Sequence, residues 1–165
     1  HSNAYYIGVT DGSFTRVSCA GMQGILHHHR PENNRYKNPF GTEIALFRTS
    51  EGGMARMARS SDTPGHGGEI GRVRGQRGSM TGMAYQGLEK QLPDLRRPPL
   101  PPGVLPGGHG GSHGYLGNEF VLSILENRRP LVDIVAALNM TVSGIVAHQS
   151  AMRDGEWLEI PQYAL

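Results

Sequence analysis

The sequence lacks the features that disulfide-bonded and membrane-spanning proteins need. Its single cysteine, Cys19, excludes an internal disulfide. No apolar run approaches the roughly 18 residues of a membrane span, and no signal-peptide pattern opens the chain. We therefore expect no membrane association. A cytoplasmic location is favoured, and export stays open because the chain begins without a methionine and can be a piece of a longer protein.

Charge is also sparse. Charged residues make up 18% of the 165 positions and the formal net charge is +2, so the composition implies no strongly charged partner. The positive residues are scattered, apart from a group at Arg72, Arg74 and Arg77 and the pair Arg96 and Arg97. Aromatic residues are not interleaved with these arginines, and we therefore expect no nucleic-acid binding.

Several motifs that carry chemistry are missing. The glycine-rich stretches 65–70 and 108–113 come near the dinucleotide-binding fingerprint, but each lacks its last glycine and neither lies in a βαβ unit. There is no P-loop, no GxSxG and no CxxC. The eight histidines occur without HExxH or a cysteine pair, so we expect no metal site.

What the chain does have is glycine and proline, 24 and 11 residues, which is about a fifth of the chain against a usual share of about 12%. This predicts one loop-rich globular domain over residues 1–165. Long segments without regular structure are predicted at 23–41 and 61–68. The proline-rich stretch 88–108 predicts a stiff connector across the surface, with an SH3-type ligand as the alternative.

Alternating and β-branched patterns predict strands joined in hairpins. The predicted strands are Ala4–Thr10 and Phe14–Met22 around an Asp-Gly turn, Thr42–Thr49 and Met54–Ser60, then 69–75 with a continuation at 77–81, and a last strand Glu156–Ile160. Sequential hairpins imply an antiparallel sheet.

Two helices are predicted after the strands. Leu116, Phe120 and Ile124 recur at helical spacing, with Ser112 as N-cap. Asp133 is the predicted N-cap of a second helix, 134–152, and Gly144 within it is the expected contact point of the two helices. The fold class is therefore α+β: an open, mostly antiparallel β-sheet with two C-terminal helices packed on one face. The other face would lie against another domain or subunit.

The candidate catalytic residues are histidines in or beside glycine-rich backbone. His109 and His113 lie where glycines lead into the first C-terminal helix, and the helix dipole there favours a neutral imidazole that can hydrogen-bond a substrate hydroxyl. His1 is a third candidate, whereas His148, on an apolar helical face, is expected to be a core histidine. The alternative for this stretch is a mobile connector that leads into an ordinary core helix.

Two further loops have polar composition. Asn34, Arg35 and Tyr36 are candidate substrate-binding residues, because amides and arginine bond hydroxyls and an aromatic ring packs on a sugar ring. A solvated loop has the same composition. Asp62, His66 and Glu69 flank a glycine loop and either line a pocket or shape a turn, and the turn is the favoured interpretation.

Taken together, these segments resemble a known family. The run from His109 to Ile160, HGGSHGYLGNEFVLSILENRRPLVDIVAALNMTVSGIVAHQSAMRDGEWLEI, resembles the C-terminal part of the Gfo/Idh/MocA oxidoreductases, the glucose–fructose oxidoreductase and inositol dehydrogenase family. NNRYKNPFGTEIALFRTSEGGMARM (33–57) and GEIGRVRGQRGSMTG (68–82) are similar to that family's sheet strands.

The resemblance implies an incomplete enzyme. Members of this family have an N-terminal Rossmann domain that holds NAD or NADP, followed by a domain whose open sheet shapes the substrate pocket and mediates oligomerisation. This chain resembles only the second part, so the expected partners are a Rossmann domain of the same protein, a sugar-like substrate and further copies of the chain. The isolated chain is expected to bind no cofactor and to be inactive. By the same likeness, His1 is a candidate active-site histidine.

Two other functions stay open at this point. NAD-dependent glycosidases, which use transient oxidation, carry a stretch similar to Gly107–Gly111, and the chain can therefore be part of such an enzyme. The domain can also be a non-catalytic module for self-association or ligand sensing.

Overall fold

A four-stranded antiparallel sheet is the centre of the computed structural model, which describes residues 2–10, 12–64, 68, 70–92, 94 and 98–164. The described elements are α1 (Ser2–Thr10), β1 (Phe14–Gln23), β2 (Phe40–Thr49), β3 (Met54–Ser60), β4 (Arg72–Arg74), β5 (Gly78–Thr81), β6 (Ala84–Gly87), α2 (Ser112–Leu125), α3 (Ile134–Ala151) and β7 (Leu158–Glu159), with 3-10 turns at His27–His29 and His109–Gly111. The strand order of the main sheet is β3-β2-β1-β7.

The two faces of this sheet differ because successive side chains point to opposite sides. On the inner face Val17 lies opposite Phe47, and both are almost fully buried. The ring of Phe14 lies 4.5 Å from that of Phe47. Ile44 and Leu46 of β2 point the other way and are 48% and 42% exposed. The main sheet is therefore open on its outer face.

Helix α3 covers the inner face. It begins as predicted, because the Asp133 carboxylate accepts a hydrogen bond of 2.9 Å from the Ala136 N–H. Val146 and Ala151 enter the core, and the Ser150 hydroxyl accepts a hydrogen bond of 2.9 Å from the Cys19 N–H of β1. The α+β class and the open antiparallel sheet are confirmed.

Among the described residues, α3 is long and apolar enough on average to cross a membrane, although polar residues interrupt it and it is no continuous apolar run. Its packing on the sheet is a sufficient reason for that composition, since core helices of soluble proteins have it too. The expectation of no membrane association stays a prediction.

The first predicted strand is wrong: residues 2–10 form helix α1. The Asn3 amide donates to the Ser143 hydroxyl at 2.8 Å and Ile7 enters the core, so contacts with α3 outweigh the local preference of the tyrosines for a strand. Gly144 faces Asn3, whose amide nitrogen would lie 3.7 Å from a Cβ at that position. The predicted contact of Gly144 between the two C-terminal helices is therefore a contact with α1 instead.

Residues 72–87 form a separate three-stranded antiparallel sheet with the order β4-β5-β6. The sequence predicted a strand and its continuation here and missed β6. Gly82, with φ of 55°, allows the tight turn between β5 and β6. Strand β6 is only four residues long, and that is too short for a clear alternation of apolar residues.

Helix α2 lies on the proline-rich connector. Its Gly114 contacts the connector so closely that a Cβ there would lie 2.4 Å from the Leu105 carbonyl oxygen. The apolar residues Leu116, Phe120 and Ile124 are 63%, 66% and 63% exposed. The predicted N-cap is displaced by one residue, because Gly111 occupies that position with φ of 91°. The helix that covers the sheet is thus α3, while the apolar face of α2 stays uncovered.

Candidate functional site

The two predicted histidines of the glycine-rich stretch lie together at the start of α2. The ring centres of His109 and His113 are 5.1 Å apart, and both residues are exposed. A Cβ at Gly107 would lie 3.0 Å from the Cβ of His113, and one at Gly108 would lie 3.1 Å from the His113 ring. The two glycines therefore leave the space that the imidazole of His113 occupies.

The backbone around this pair has an unusual conformation. His109 has φ of 50°, a value that non-glycine residues rarely adopt, and Gly110 follows with φ of 63°. Such left-handed residues are enriched at sites where backbone must come close to a ligand. The third candidate, His1, lies outside the described residues.

The predicted substrate-binding loop is well defined. The Asn34 amide donates to the carbonyl oxygens of Arg30 and Asn38 at 2.9 and 2.8 Å and accepts from the Asn38 N–H at 3.0 Å. Its side chain therefore holds the loop in shape. The Arg35 guanidinium lies 5.6 Å from the centre of the Tyr36 ring, and Tyr36 is 82% exposed. Contact of these residues with substrate stays a prediction.

Sequence reasoning missed a histidine–carboxylate pair. The Nδ1 atom of His29 hydrogen-bonds to the Asp62 carboxylate, and the other oxygen of Asp62 accepts from the Ile25 N–H at 2.7 Å. Burial alone raises the pKa of Asp62, but these hydrogen bonds outweigh it and hold the pKa below its usual value. The favoured interpretation of Asp62 as a turn-forming residue did not include this partner, 33 positions away.

Gly41 explains how the buried carboxylate fits. A Cβ at Gly41 would lie 1.6 Å from an Asp62 oxygen. Only glycine leaves room for Asp62 at this point of β2. The triple histidine at 27–29 and the Asp-Thr-Pro segment at 62–64 are visible in the sequence. No local pattern shows that a histidine of the first contacts the aspartate of the second.

A second histidine–carboxylate pair, His148 with Glu43, lies on the inner face of the sheet. The Nδ1 atom of His148 is hydrogen-bonded to the Glu43 carboxylate at 2.7 Å. The centres of the His148 and Phe40 rings are 5.9 Å apart. The expected core histidine is thus half-buried and paired with a carboxylate.

Burial, followed by the charge of Glu43, raises the pKa of Cys19 to about 11, so this thiol is protonated at neutral pH.

The described part of the chain contains neither a cluster of metal-binding side chains nor a dinucleotide-binding βαβ unit. The described residues contain no group of three or more His, Cys, Asp or Glu that could hold a metal ion. All the described strand pairs are antiparallel, whereas the dinucleotide-binding βαβ unit needs parallel strands. The described strands therefore form no dinucleotide-binding βαβ unit, and whether this chain contacts a nucleotide stays a prediction.

Several solved structures that are similar to this chain are oxidoreductases. An oxidoreductase domain protein from Kribbella flavida matches 95% of this chain with a TM-score of 0.67 and 14% identity. An inositol dehydrogenase homolog from Azotobacter vinelandii, complexed with NADH and myo-inositol, matches 94% with a TM-score of 0.60 and 20% identity. A levoglucosan dehydrogenase, in complex with NADH and L-sorbose, matches 92% with a TM-score of 0.62 and 12% identity.

These matches cover only part of the solved proteins. The chain spans 48%, 47% and 46% of their respective lengths. The sequence itself matches no known family model and no curated protein. The resemblance to Gfo/Idh/MocA-type oxidoreductases is therefore confirmed at the level of the fold, and the fold is that of about half of such an enzyme.

Proposed function

We propose that this chain is the substrate-binding and oligomerisation domain of an NAD(P)-dependent oxidoreductase that acts on a sugar, a polyol or a related carbohydrate. The observation that carries the proposal is the match over nearly the whole chain to about half of dehydrogenases whose structures hold NADH with a sugar or polyol. The nucleotide-binding half, a Rossmann domain, would be supplied by the remainder of the protein.

The uncovered face of α2 supports a missing neighbour. Leu116, Phe120, Val121, Ile124 and Leu125 are all at least half exposed on one helix. A contiguous apolar surface of this kind marks a place where another domain packs. Because the same helix begins beside His109 and His113, a domain packed on α2 would lie close to these two rings.

In this proposal the chain's own residues bind the carbohydrate and accept a proton from it. An imidazole can accept the proton of a substrate hydroxyl or hold that hydroxyl by a hydrogen bond. His109 and His113 have this role in the proposal, and Arg35 and Tyr36 bind the carbohydrate from the loop that Asn34 shapes. The redox equivalent comes from the nicotinamide carried elsewhere in the protein.

The open face of the main sheet supports self-association. Met22, Ile44, Leu46 and Met54 lie on it and are between 42% and 59% exposed. Ile44 pairs with Ala58 of β3, so the apolar patch extends from β2 onto the neighbouring strand. Burial of such a patch against a second copy removes apolar surface from water.

The test is to supply the complete protein with NAD or NADP and a panel of sugars and polyols that includes myo-inositol, and to follow nicotinamide absorbance. Net reduction of the cofactor with one of these substrates, and none with the 165-residue chain alone, is the expected result. Release of an aglycone without net cofactor turnover would point to a glycosidase. Sugar binding without any change in absorbance would point to a non-catalytic sensing module.

A further inference from the structure

A cleft of about 620 Å³ lies between the two sheets, away from the histidine pair. One wall is β3, the edge strand of the main sheet, and another is β4, the edge strand of the small sheet. Tyr5 and Tyr6 of α1 line it as well. This volume lies within the range of about 300–1,000 Å³ that small-molecule sites occupy.

Four arginines line the cleft: Arg56 and Arg59 from β3, and Arg72 and Arg74 from β4. The described residues that line it include no aspartate or glutamate. None of the four forms an ion pair with a carboxylate in the described part of the chain. The arginines that are paired there lie elsewhere; they are Arg16, Arg77, Arg128, Arg129 and Arg153.

This concentration of charge is large for the protein as a whole. The formal net charge of all 165 residues is +2, yet four permanently charged arginines line this one cleft, two from each edge strand. Arginine stays protonated, so the groups repel one another at every relevant pH. An anion between them replaces repulsion with attraction and accepts paired N–H···O bonds from the planar guanidinium groups.

The shape of the cleft depends on a glycine. Gly71 lies directly before β4, and a Cβ there would lie 2.1 Å from the ring of Tyr5. The absence of a side chain lets the start of β4 lie against the aromatic ring of α1. The cleft therefore combines four cationic groups with an aromatic wall.

We propose that this cleft binds a small molecule with two or more negative charges carried by phosphate or carboxylate groups. The proposal does not depend on the oxidoreductase activity, because all of the residues that carry it lie in this chain. The uncharged parts of the ligand would lie on Tyr5, while its oxyanions accept hydrogen bonds from the arginines of both edge strands.

Calorimetric titration of the 165-residue chain with pyrophosphate at low ionic strength tests the proposal. Glucose 6-phosphate and glucarate, which has two carboxylates, are titrated alongside and distinguish phosphate from carboxylate groups, and glucose is the uncharged reference. We expect pyrophosphate and one of the anionic sugars to bind measurably, and glucose to bind at least tenfold more weakly. The combined substitution Arg56→Gln and Arg72→Gln should weaken pyrophosphate binding at least tenfold.

The matched control is the combined substitution Arg129→Gln and Arg153→Gln, which removes the same charge on other parts of the surface. It should leave the affinity within a factor of two. If it weakens binding as much as the cleft variant does, the attraction is to net charge and the proposal is wrong. Absence of pyrophosphate binding also overturns it. Arg59→Gln with Arg74→Gln is a second cleft variant, and circular dichroism confirms that each variant is folded.

Discussion

At the scale of single residues, the glycines of this chain decide where functional side chains fit. Gly107 and Gly108 leave room for the His113 ring, Gly41 for the Asp62 carboxylate, and Gly71 for the Tyr5 ring. For Gly41 and Gly71, the glycine and the side chain it accommodates lie far apart in the sequence. The sequence placed His109 and His113 in one glycine-rich stretch, but it could not predict the pairing of His29 with Asp62.

His109→Ala in the complete enzyme should lower turnover at least about 100-fold, the lower range of what a positioned acid–base group contributes. The fold should be little affected, because His109 is exposed and buries few atoms. Steady-state kinetics with the sugar that the enzyme accepts, together with a thermal melt, measure both effects.

The matched control is His27→Ala, which removes an exposed histidine from the other 3-10 turn and should leave turnover unchanged. Normal kinetics in the His109 variant would remove this residue from the site.

At the scale of elements, the sequence predicted α3, its N-cap and the hairpin of β2 and β3, because these segments carry a strong local signal. It failed for α1, where Tyr5 and Tyr6 favour a strand by local preference while Asn3 and Ile7 are drawn into contact with α3. It also placed the apolar face of α2 in the core. An apolar helical face indicates burial against something, but the sequence does not say whether the partner lies in the same chain.

Asp133→Ala should lower the free energy of unfolding by about 0.5–2 kcal/mol, because α3 loses the carboxylate that accepts from the Ala136 N–H. Urea unfolding followed by circular dichroism measures the change. Glu156→Ala removes a carboxylate that is 56% exposed and serves as the control. Equal stability of the Asp133 variant and the wild-type chain would mean that water replaces the cap without loss.

The end of α2 should make stability depend on pH. Arg128 donates two hydrogen bonds to Glu119, at 2.7 and 2.9 Å, and the Leu131 N–H donates a third of 2.8 Å. The hydrogen bonds from Arg128, followed by that from Leu131, lower the pKa of Glu119 to about 2. Because the pKa is lower in the folded than in the unfolded state, where it is about 4.3, the stabilisation is complete above pH 4.3 and is lost as the pH falls towards 2.

Glu119→Gln should therefore be less stable than the wild-type chain at pH 7, and the difference should shrink between pH 4.3 and pH 2. Urea unfolding across that range measures it. Glu156→Gln, at an exposed surface ion pair, should show little difference at any pH. A gap between Glu119→Gln and wild type that stays constant down to pH 2 would contradict this origin of the stabilisation.

At the scale of the whole molecule, the composition indicated a loop-rich chain, and the order of the predicted strands and helices indicated an α+β fold with one face of its sheet open; the structure has the α+β fold and the open face. What the composition concealed is the distribution of charge. A net charge of +2 suggested no charged partner, yet four arginines collect on one cleft because two edge strands from different sheets come together there. Such a grouping depends on tertiary structure, because Arg56 and Arg59 lie at least 13 positions before Arg72 and Arg74 in the sequence.

Leu46→Asp should weaken self-association of the complete protein at least tenfold, because it puts a carboxylate in the middle of the apolar outer face of the main sheet. Light scattering coupled to gel filtration measures the change. Leu88→Asp, at a leucine that is 71% exposed after β6, is the matched control. If the assembly is intact in the Leu46 variant, the copies associate through another surface.

The pairing of β7 with β1 has a consequence for how the protein is made. Val17 pairs with Leu158 and the Ile160 N–H donates to the Thr15 carbonyl at 2.8 Å, so one side of β1 receives its partner only from the end of the described chain. A ribosome releases residue 17 long before residue 158. Until then the nascent polypeptide carries β1 with its backbone groups unsatisfied on that side, a state in which chaperones or neighbouring nascent chains can bind it.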